Sequence, residues 1–202
     1  MSQDGPRVLF FGDSLVAGVG DPTGLGWVGR IVAASFAAGT SLTAYNLGVR
    51  RDTSEQVAAR WRSEALPRLA GSTDSRIVLS FGANDTAMED GRLRVTPDQS
   101  TRALTTMLTE INDLGLSAFV VGPAPVDDAE HNARLRDLSG ASGATCRQFG
   151  VSFVSVLGLL ASSGVWRDEV SEGDGAHPGA AGYQLLANLI CDGGLLAWLE
   201  SG

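Results

Sequence analysis

The chain has 202 residues, 44% of them hydrophobic, with 26 glycines and a formal net charge of −8 from 15 basic and 23 acidic side chains. That length suits one domain, 1–202, with a sizeable core and many tight turns. The acidic balance, without a basic run, argues against nucleic acid and against an anionic membrane surface as partners.

In chain order, Arg7 to Phe11 reads as a short buried strand, followed by a glycine-rich loop from Val16 to Gly26. Trp27 to Ala38 reads as a helix stopped by Gly39, and Leu42 to Asn46 as a second strand. A helix pattern begins after Asp52, with Thr53 or Ser54 as its cap and Pro67 as its end. Ile77 to Phe81 is a third strand, bounded by Gly82. Thr96-Pro97-Asp98-Gln99 has the form of a capping box with proline at the first helical position. The helix it opens carries Leu104, Met107, Leu108 and Ile111 on one face and ends near Gly115. Leu116 to Val121 is a fourth strand, about Asp128 to Phe149 a helix, and Val151 to Val154 a fifth strand. A last helix follows Pro178, carrying Tyr183, Leu185, Leu186, Leu189 and Ile190. Strands alternating with helices predict an α/β fold: a five-stranded, mostly parallel, flavodoxin-like sheet between two helical layers. Its ligand site belongs at the carboxyl ends of the strands.

The candidate chemistry stands at those ends. Gly12-Asp13-Ser14-Leu15 places a serine after the first strand, where serines also serve as plain caps. A serine hydroxyl is a poor nucleophile until a neighbouring base takes its proton. The chain has two histidines, His131 and His177. His177 follows Asp174 by three residues, close enough for the carboxylate to reach the imidazole, and Pro178 restricts its backbone. His131 lies in the polar run 127–132 and reads as solvated. Gly82-Ala83-Asn84-Asp85 is a turn sequence whose asparagine amide is also a donor for a developing oxyanion. In Asn46-Leu47-Gly48 the glycine permits close approach of a backbone N–H to a ligand.

These four blocks, in this order and each after a different strand or at the last helix, resemble the SGNH hydrolase superfamily, also called GDSL esterases and lipases. The resemblance implies a three-layer α/β/α fold and ester hydrolysis through an acyl-enzyme, with no cofactor and no metal. It implies Ser14 as nucleophile, His177 as base and then acid, and Asp174 as the group that orients His177. It implies an oxyanion hole from the Ser14 and Gly48 N–H groups and the Asn84 side chain, with Asp13 and Asp85 in support. Small or short-chain carboxylic esters are the expected substrates, with acyl transfer, thioester and lysophospholipid cleavage as alternatives in the same family. Gly24, Gly26, Trp27, Ala87, Met88 and Pro123-Ala124-Pro125 are candidates for the cleft walls.

Three other classes compete. A dinucleotide-binding protein would share the fold, but Gly18-Val19-Gly20-Asp21-Pro22-Thr23-Gly24 spaces its last glycine one residue too far. A metal-dependent phosphoesterase could use Asp13, Asp85, Asp174 and His177. A silent binding domain would ordinarily have lost Ser14 or His177. The remaining expectations concern place and state. Cys146 and Cys191 read as buried thiols in a reducing compartment. The four apolar residues from Val8 to Phe11 fall short of a secretory signal's roughly 7–15, and no stretch approaches the ~18 of a spanning helix. The expected compartment is the cytoplasm; oligomeric state is not legible.

Overall fold

A computed structural model describes residues 5–201. In chain order the first half forms β1 (Arg7–Gly12), α1 (Ser14–Ala17), α2 (Gly26–Ala37), β2 (Thr43–Gly48), α3 (Ser54–Leu69) and β3 (Ser75–Ser80). A small hairpin, β4 (Met88–Glu89) with β5 (Arg92–Leu93), leads to α4 (Pro97–Asp113), β6 (Ser117–Val121), α5 (Ala129–Phe149) and β7 (Ser152–Val154). Then come α6 (Leu157–Ser162), α7 (Gly164–Glu172) and α8 (Ala180–Ile190), a kink over Cys191–Leu195 where Gly194 takes φ +104°, and α9 (Leu196–Glu200). The five long-range strands pair in parallel, in the order β2-β1-β3-β6-β7.

The central strands β1, β3 and β6 have buried, apolar centres because both faces of the sheet are covered there. Side chains alternate between the faces. Val8, Phe10, Val78, Phe119 and Val121 point to one side, where they meet Trp27 and Ile31 of α2 and Tyr183, Leu186 and Ile190 of α8. Leu9, Phe11, Ile77, Leu79 and Val120 point to the other, against Val57 and Trp61 of α3 and Leu104, Met107 and Ile111 of α4. Each core has a tryptophan set edge-on to a β1 phenylalanine: Trp27 on Phe10 at 5.7 Å and Trp61 on Phe11 at 6.5 Å between ring centres. Cys146 is fully buried in the second core and Cys191 is half-buried beside the first, so the sheet stands between them.

The expected fold is the observed one, with local differences. The segment after Asp13 is not loop from Val16 on: it first makes one helical turn, α1. Pro67 does not end α3, which runs two residues further to Leu69. A proline in the last turn removes only one helical hydrogen bond, and the Arg7 guanidinium takes up the Arg68 and Ala70 carbonyls at 2.8 Å each. The hairpin β4–β5 and the helices α6 and α7 had no counterpart in the sequence reading. Both capping boxes form, Thr53 with Gln56 and Thr96 with Gln99. Among the described residues no helix is long and apolar enough to cross a membrane.

Candidate active site

β1 ends at Gly12 and the chain enters α1 with Asp13 as its N-cap, Oδ1 accepting the Leu15 N–H at 3.0 Å. Ser14 is the first residue of that helix, so its own N–H has no intrahelical acceptor. Because β2 and β3 both pair with β1, chain crossovers leave from opposite sides of β1 and open a crevice above it. Ser14 stands in that crevice, and the loop after β3 stands beside it.

His177 arrives from 163 residues further along the chain, and its Nε2 lies 2.7 Å from Ser14 Oγ. Its Nδ1 lies 2.7 Å from Asp174 Oδ2. The other oxygen, Asp174 Oδ1, accepts the Ala176 N–H at 3.1 Å and the His177 N–H at 2.9 Å. Asp174 therefore reaches His177 across a tight turn after α7 rather than along a helix. Burial pushes the Asp174 carboxyl up, but the hydrogen bonds from the His177 ring and from these two amides outweigh it and hold the group below its usual range. It is a carboxylate at neutral pH.

Several side chains that the sequence did not flag hold this segment in place. Glu169 of α7 accepts the Ala181 and Gly182 N–H groups at 3.2 and 2.6 Å, closing the N-terminus of α8 with a carboxylate. Tyr183 donates its hydroxyl to the Val19 carbonyl at 2.7 Å. Arg30 pairs with Asp21 and donates to the Ala180 carbonyl. The loop after α1 is thereby tied to the start of α8, and Ser14 and His177 are registered against each other.

Asn84 follows β3. Its amide donates to the Asp52 carbonyl at 3.0 Å, with Asp13 Oδ2 a further 3.5 Å contact. Asp85 turns inward, fully buried, and accepts the Ser54 N–H at 2.7 Å and the Ser100 hydroxyl at 2.6 Å. It thus joins the loop to the starts of α3 and α4. Gly48 ends β2 directly behind α1: a Cβ there would lie 2.2 Å from the Ala17 nitrogen, so only glycine fits. Its N–H is given to Asn46 Oδ1 at 3.0 Å, while Asn46 Nδ2 donates to the Val16 carbonyl at 2.7 Å. Asp13 is buried too, and burial, with the nearby Asp85 and Asp52, pushes its carboxyl up to about 7 despite the Leu15 amide.

Asp13, Ser14, Asn84, Asp174 and His177 all line one cleft of about 450 Å³. Arg50 and Arg51 stand at its rim together with Ala87, and Val126, Asp127 and Asp128 form another wall. Of the expected wall residues, Ala87 lines this cleft. Trp27 does not: it is core, 1% exposed. Ala124 is buried as well, and Met88 belongs to the hairpin. His131 also differs from expectation. It is half-buried, and its Nε2 lies 3.0 Å from the Ala83 carbonyl and 2.9 Å from Thr86 Oγ1. Its sequence neighbours are polar, but the partners that bury it come from 45 and 48 residues earlier, beyond any local pattern. Among the described residues no three His, Cys, Asp or Glu side chains are grouped to hold a metal ion. Asp13 and Asp85, counted as possible ligands in the sequence, face the Leu15 amide and the Ser54 and Ser100 donors instead.

A hydroxyl against an imidazole that is itself held by a carboxylate, beside an amide donor, is an arrangement able to carry out acyl transfer. The family model described as GDSL-like lipase/acylhydrolase matches residues 10–185. No curated protein matches the chain. Among solved structures, the lipase/acylhydrolase from Enterococcus faecalis superposes with a TM-score of 0.77 at 24% identity, over 93% of this chain and 94% of that one. An acetylxylan esterase from Geobacillus stearothermophilus gives 0.74 at 17% identity, over 94% of each chain. An alpha/beta hydrolase enzyme from the metagenome of Lake Arreo, Spain, gives 0.75 at 20% identity, over 94% of this chain and 95% of that one.

Proposed function

The chain belongs to the GDSL-like lipase/acylhydrolase family and is an ester hydrolase; we propose that it cleaves small, short-chain carboxylic esters through an acyl-enzyme on Ser14. The observation that carries this reading is the unbroken chain of contacts from Ser14 Oγ to His177 to Asp174, at 2.7 Å in both links. His177 Nε2 takes the Ser14 proton as Oγ attacks the ester carbon. The tetrahedral intermediate collapses, the C–O bond to the alcohol breaks, and His177 gives its proton to the leaving oxygen. Water then attacks the acyl-serine, its proton passing to His177 and on to Ser14 Oγ as the acid departs. Asp174 keeps Nδ1 protonated, so Nε2 faces the serine as the acceptor, and stabilises the imidazolium formed in each half.

The Ser14 N–H and the Asn84 amide are the donors we assign first to the oxyanion. The Gly48 N–H, which already donates to Asn46 Oδ1, is assigned as the third and weakest donor, its hydrogen divided between Asn46 and the oxyanion. Two features support a small acyl group: the apolar side chains that line the cleft are mostly small, Ala83, Ala87, Val126 and Ala176 with Leu15, and charged Arg50, Arg51, Asp127 and Asp128 stand among them, and the fold is similar to that of an acetylxylan esterase.

Hydrolysis of p-nitrophenyl acetate, butyrate and octanoate by the wild type and Ser14→Ala, with and without EDTA, tests the reading. Wild type should favour acetate and butyrate over octanoate, and Ser14→Ala should lose at least about 10³-fold in kcat, with EDTA changing neither. Equal rates for the two proteins would remove Ser14 as nucleophile.

A further inference from the structure

The loop 82–86 that carries Asn84 is held from two sides. On one side Asp85 pins it to Ser54 of α3 and Ser100 of α4. On the other, the first turns of α5 grip it with two side chains three residues apart. His131 Nε2 reaches the Ala83 carbonyl and the Thr86 hydroxyl, and Arg134 Nε donates to the Thr86 carbonyl at 3.0 Å. Residues three apart on a helix share a face. The face is set in turn by Asp128, which caps α5 by accepting the His131 N–H at 2.7 Å.

We propose that His131 is a positioning residue for Asn84: its Nε2–H fixes the Ala83–Asn84 peptide and thereby the distance of the Asn84 amide from Ser14 Oγ. The inference rests on the reading of Asn84 as an oxyanion donor. A carbonyl oxygen only accepts, so the hydrogen of this contact belongs to His131 Nε2. The Ala83 carbonyl lies in the same rigid plane as the Asn84 N–H, so holding one holds the other. Inside the loop the Thr86 N–H and hydroxyl both reach back to the Gly82 carbonyl at 3.3 Å. Gly82 adopts φ +124°, a conformation without local stiffness of its own. The Thr86 hydroxyl also approaches the Ala83 carbonyl at 3.5 Å, and the Asn84 amide itself donates to the Asp52 carbonyl at 3.0 Å, so the His131 contact acts together with these to set where Asn84 sits. Burial, helped by the Arg134 charge, holds the His131 imidazole below its usual range, against the pull of the Ala83 carbonyl, so the contact is made by a neutral ring at neutral pH.

Two polar replacements separate the role from mere presence in the cleft. In His131→Gln the amide nitrogen stands about as far from the backbone as Nε2 and still reaches Ala83; in His131→Asn it falls short. With p-nitrophenyl acetate, His131→Asn should lose roughly 10- to 100-fold in kcat at little change in KM, as expected for a misplacement on the order of 1 Å, and His131→Gln should retain most of kcat. Asn84→Ala should lose about 10²–10³-fold, and adding His131→Asn to it should cost nothing more. An equal kcat loss from His131→Asn on both backgrounds, a loss carried in KM, or no loss at all would overturn the proposal while leaving the Asn84 reading intact. Full kcat in Asn84→Ala would instead remove the oxyanion reading, and the proposal with it.

Discussion

At the scale of single residues, the candidate site holds a buried carboxyl. Asp13 caps α1 next to Ser14, and burial raises its carboxyl from 3.8 to about 7. Between about pH 4 and pH 7 the folded protein therefore holds a proton that the unfolded chain has released. The contribution of Asp13 to stability should fall as pH rises through that window, by about 1.4 kcal/mol for each unit of pH, and level off above it. Asp13→Asn keeps an oxygen to accept the Leu15 N–H and carries no charge at any pH. Its stability relative to wild type should therefore climb from pH 5 to pH 8. Urea unfolding of both proteins at several pH values measures the difference, in which every other titrating group cancels; parallel profiles would mean that Asp13 is not held protonated by its surroundings. Ser14, Asn84, Asp174 and His177 could be picked out of the sequence because each sits in a short block whose spacing carries meaning. Gly48 was legible as a close approach but not as an amide already given to Asn46. His131, Glu169 and Tyr183 were not legible as supports, since each acts on a residue 12 to 164 positions away.

At the scale of elements, what the sequence revealed follows from length and punctuation. β1, β3 and β6 are centred on the apolar runs 8–11, 77–79 and 118–121, and α4 opens on a full capping box; such signals are local. α6 has six residues and α7 nine, with only Trp166 and Val170 of α7 buried, too little periodicity to read. Yet α7 carries Glu169, whose carboxylate closes α8 beside His177. Glu169→Ala should cost about 1 kcal/mol, or about 2–4 °C in Tm for a chain of this size, and should also lower kcat, because the turn bearing His177 leads straight into that helix. Arg7→Ala supplies the comparison. Arg7 closes the C-terminus of α3 through two hydrogen bonds, to the Arg68 and Ala70 carbonyls, at the opposite end of β1 from Ser14. It should lose a similar amount of Tm with kcat unchanged. If both variants lose Tm and neither loses kcat, Glu169 supports the helix without supporting the histidine.

At the scale of the whole molecule, the sheet is both the scaffold of the site and the wall between two cores. Ser14 follows β1, Asn84 follows β3, and His177 is delivered by helices packed on one face only, while Asp85 draws on α3 and α4 of the other face. Every strand of β1–β3–β6 sends alternate side chains into both cores, so neither core can dissolve without exposing the backs of strands that the other needs. The chain should therefore unfold as a single cooperative unit. The tryptophans make this measurable, because Trp27 and Trp166 are buried on one side, Trp198 packs against Phe119 of the same core, and Trp61 lies alone on the other. In a Trp61→Phe protein all fluorescence reports the α2–α8 side. Leu79→Ala, fully buried on the opposite side, should cost about 2–5 kcal/mol. In the Trp61→Phe background it should move the fluorescence transition, the far-ultraviolet circular dichroism and the loss of esterase activity to the same lower denaturant concentration. A fluorescence midpoint that stays in place while the dichroism splits into two steps would mean that the faces unfold separately. In that case the contact between Ser14 and His177, held from the α2–α8 side, would outlast the loop that carries Asn84.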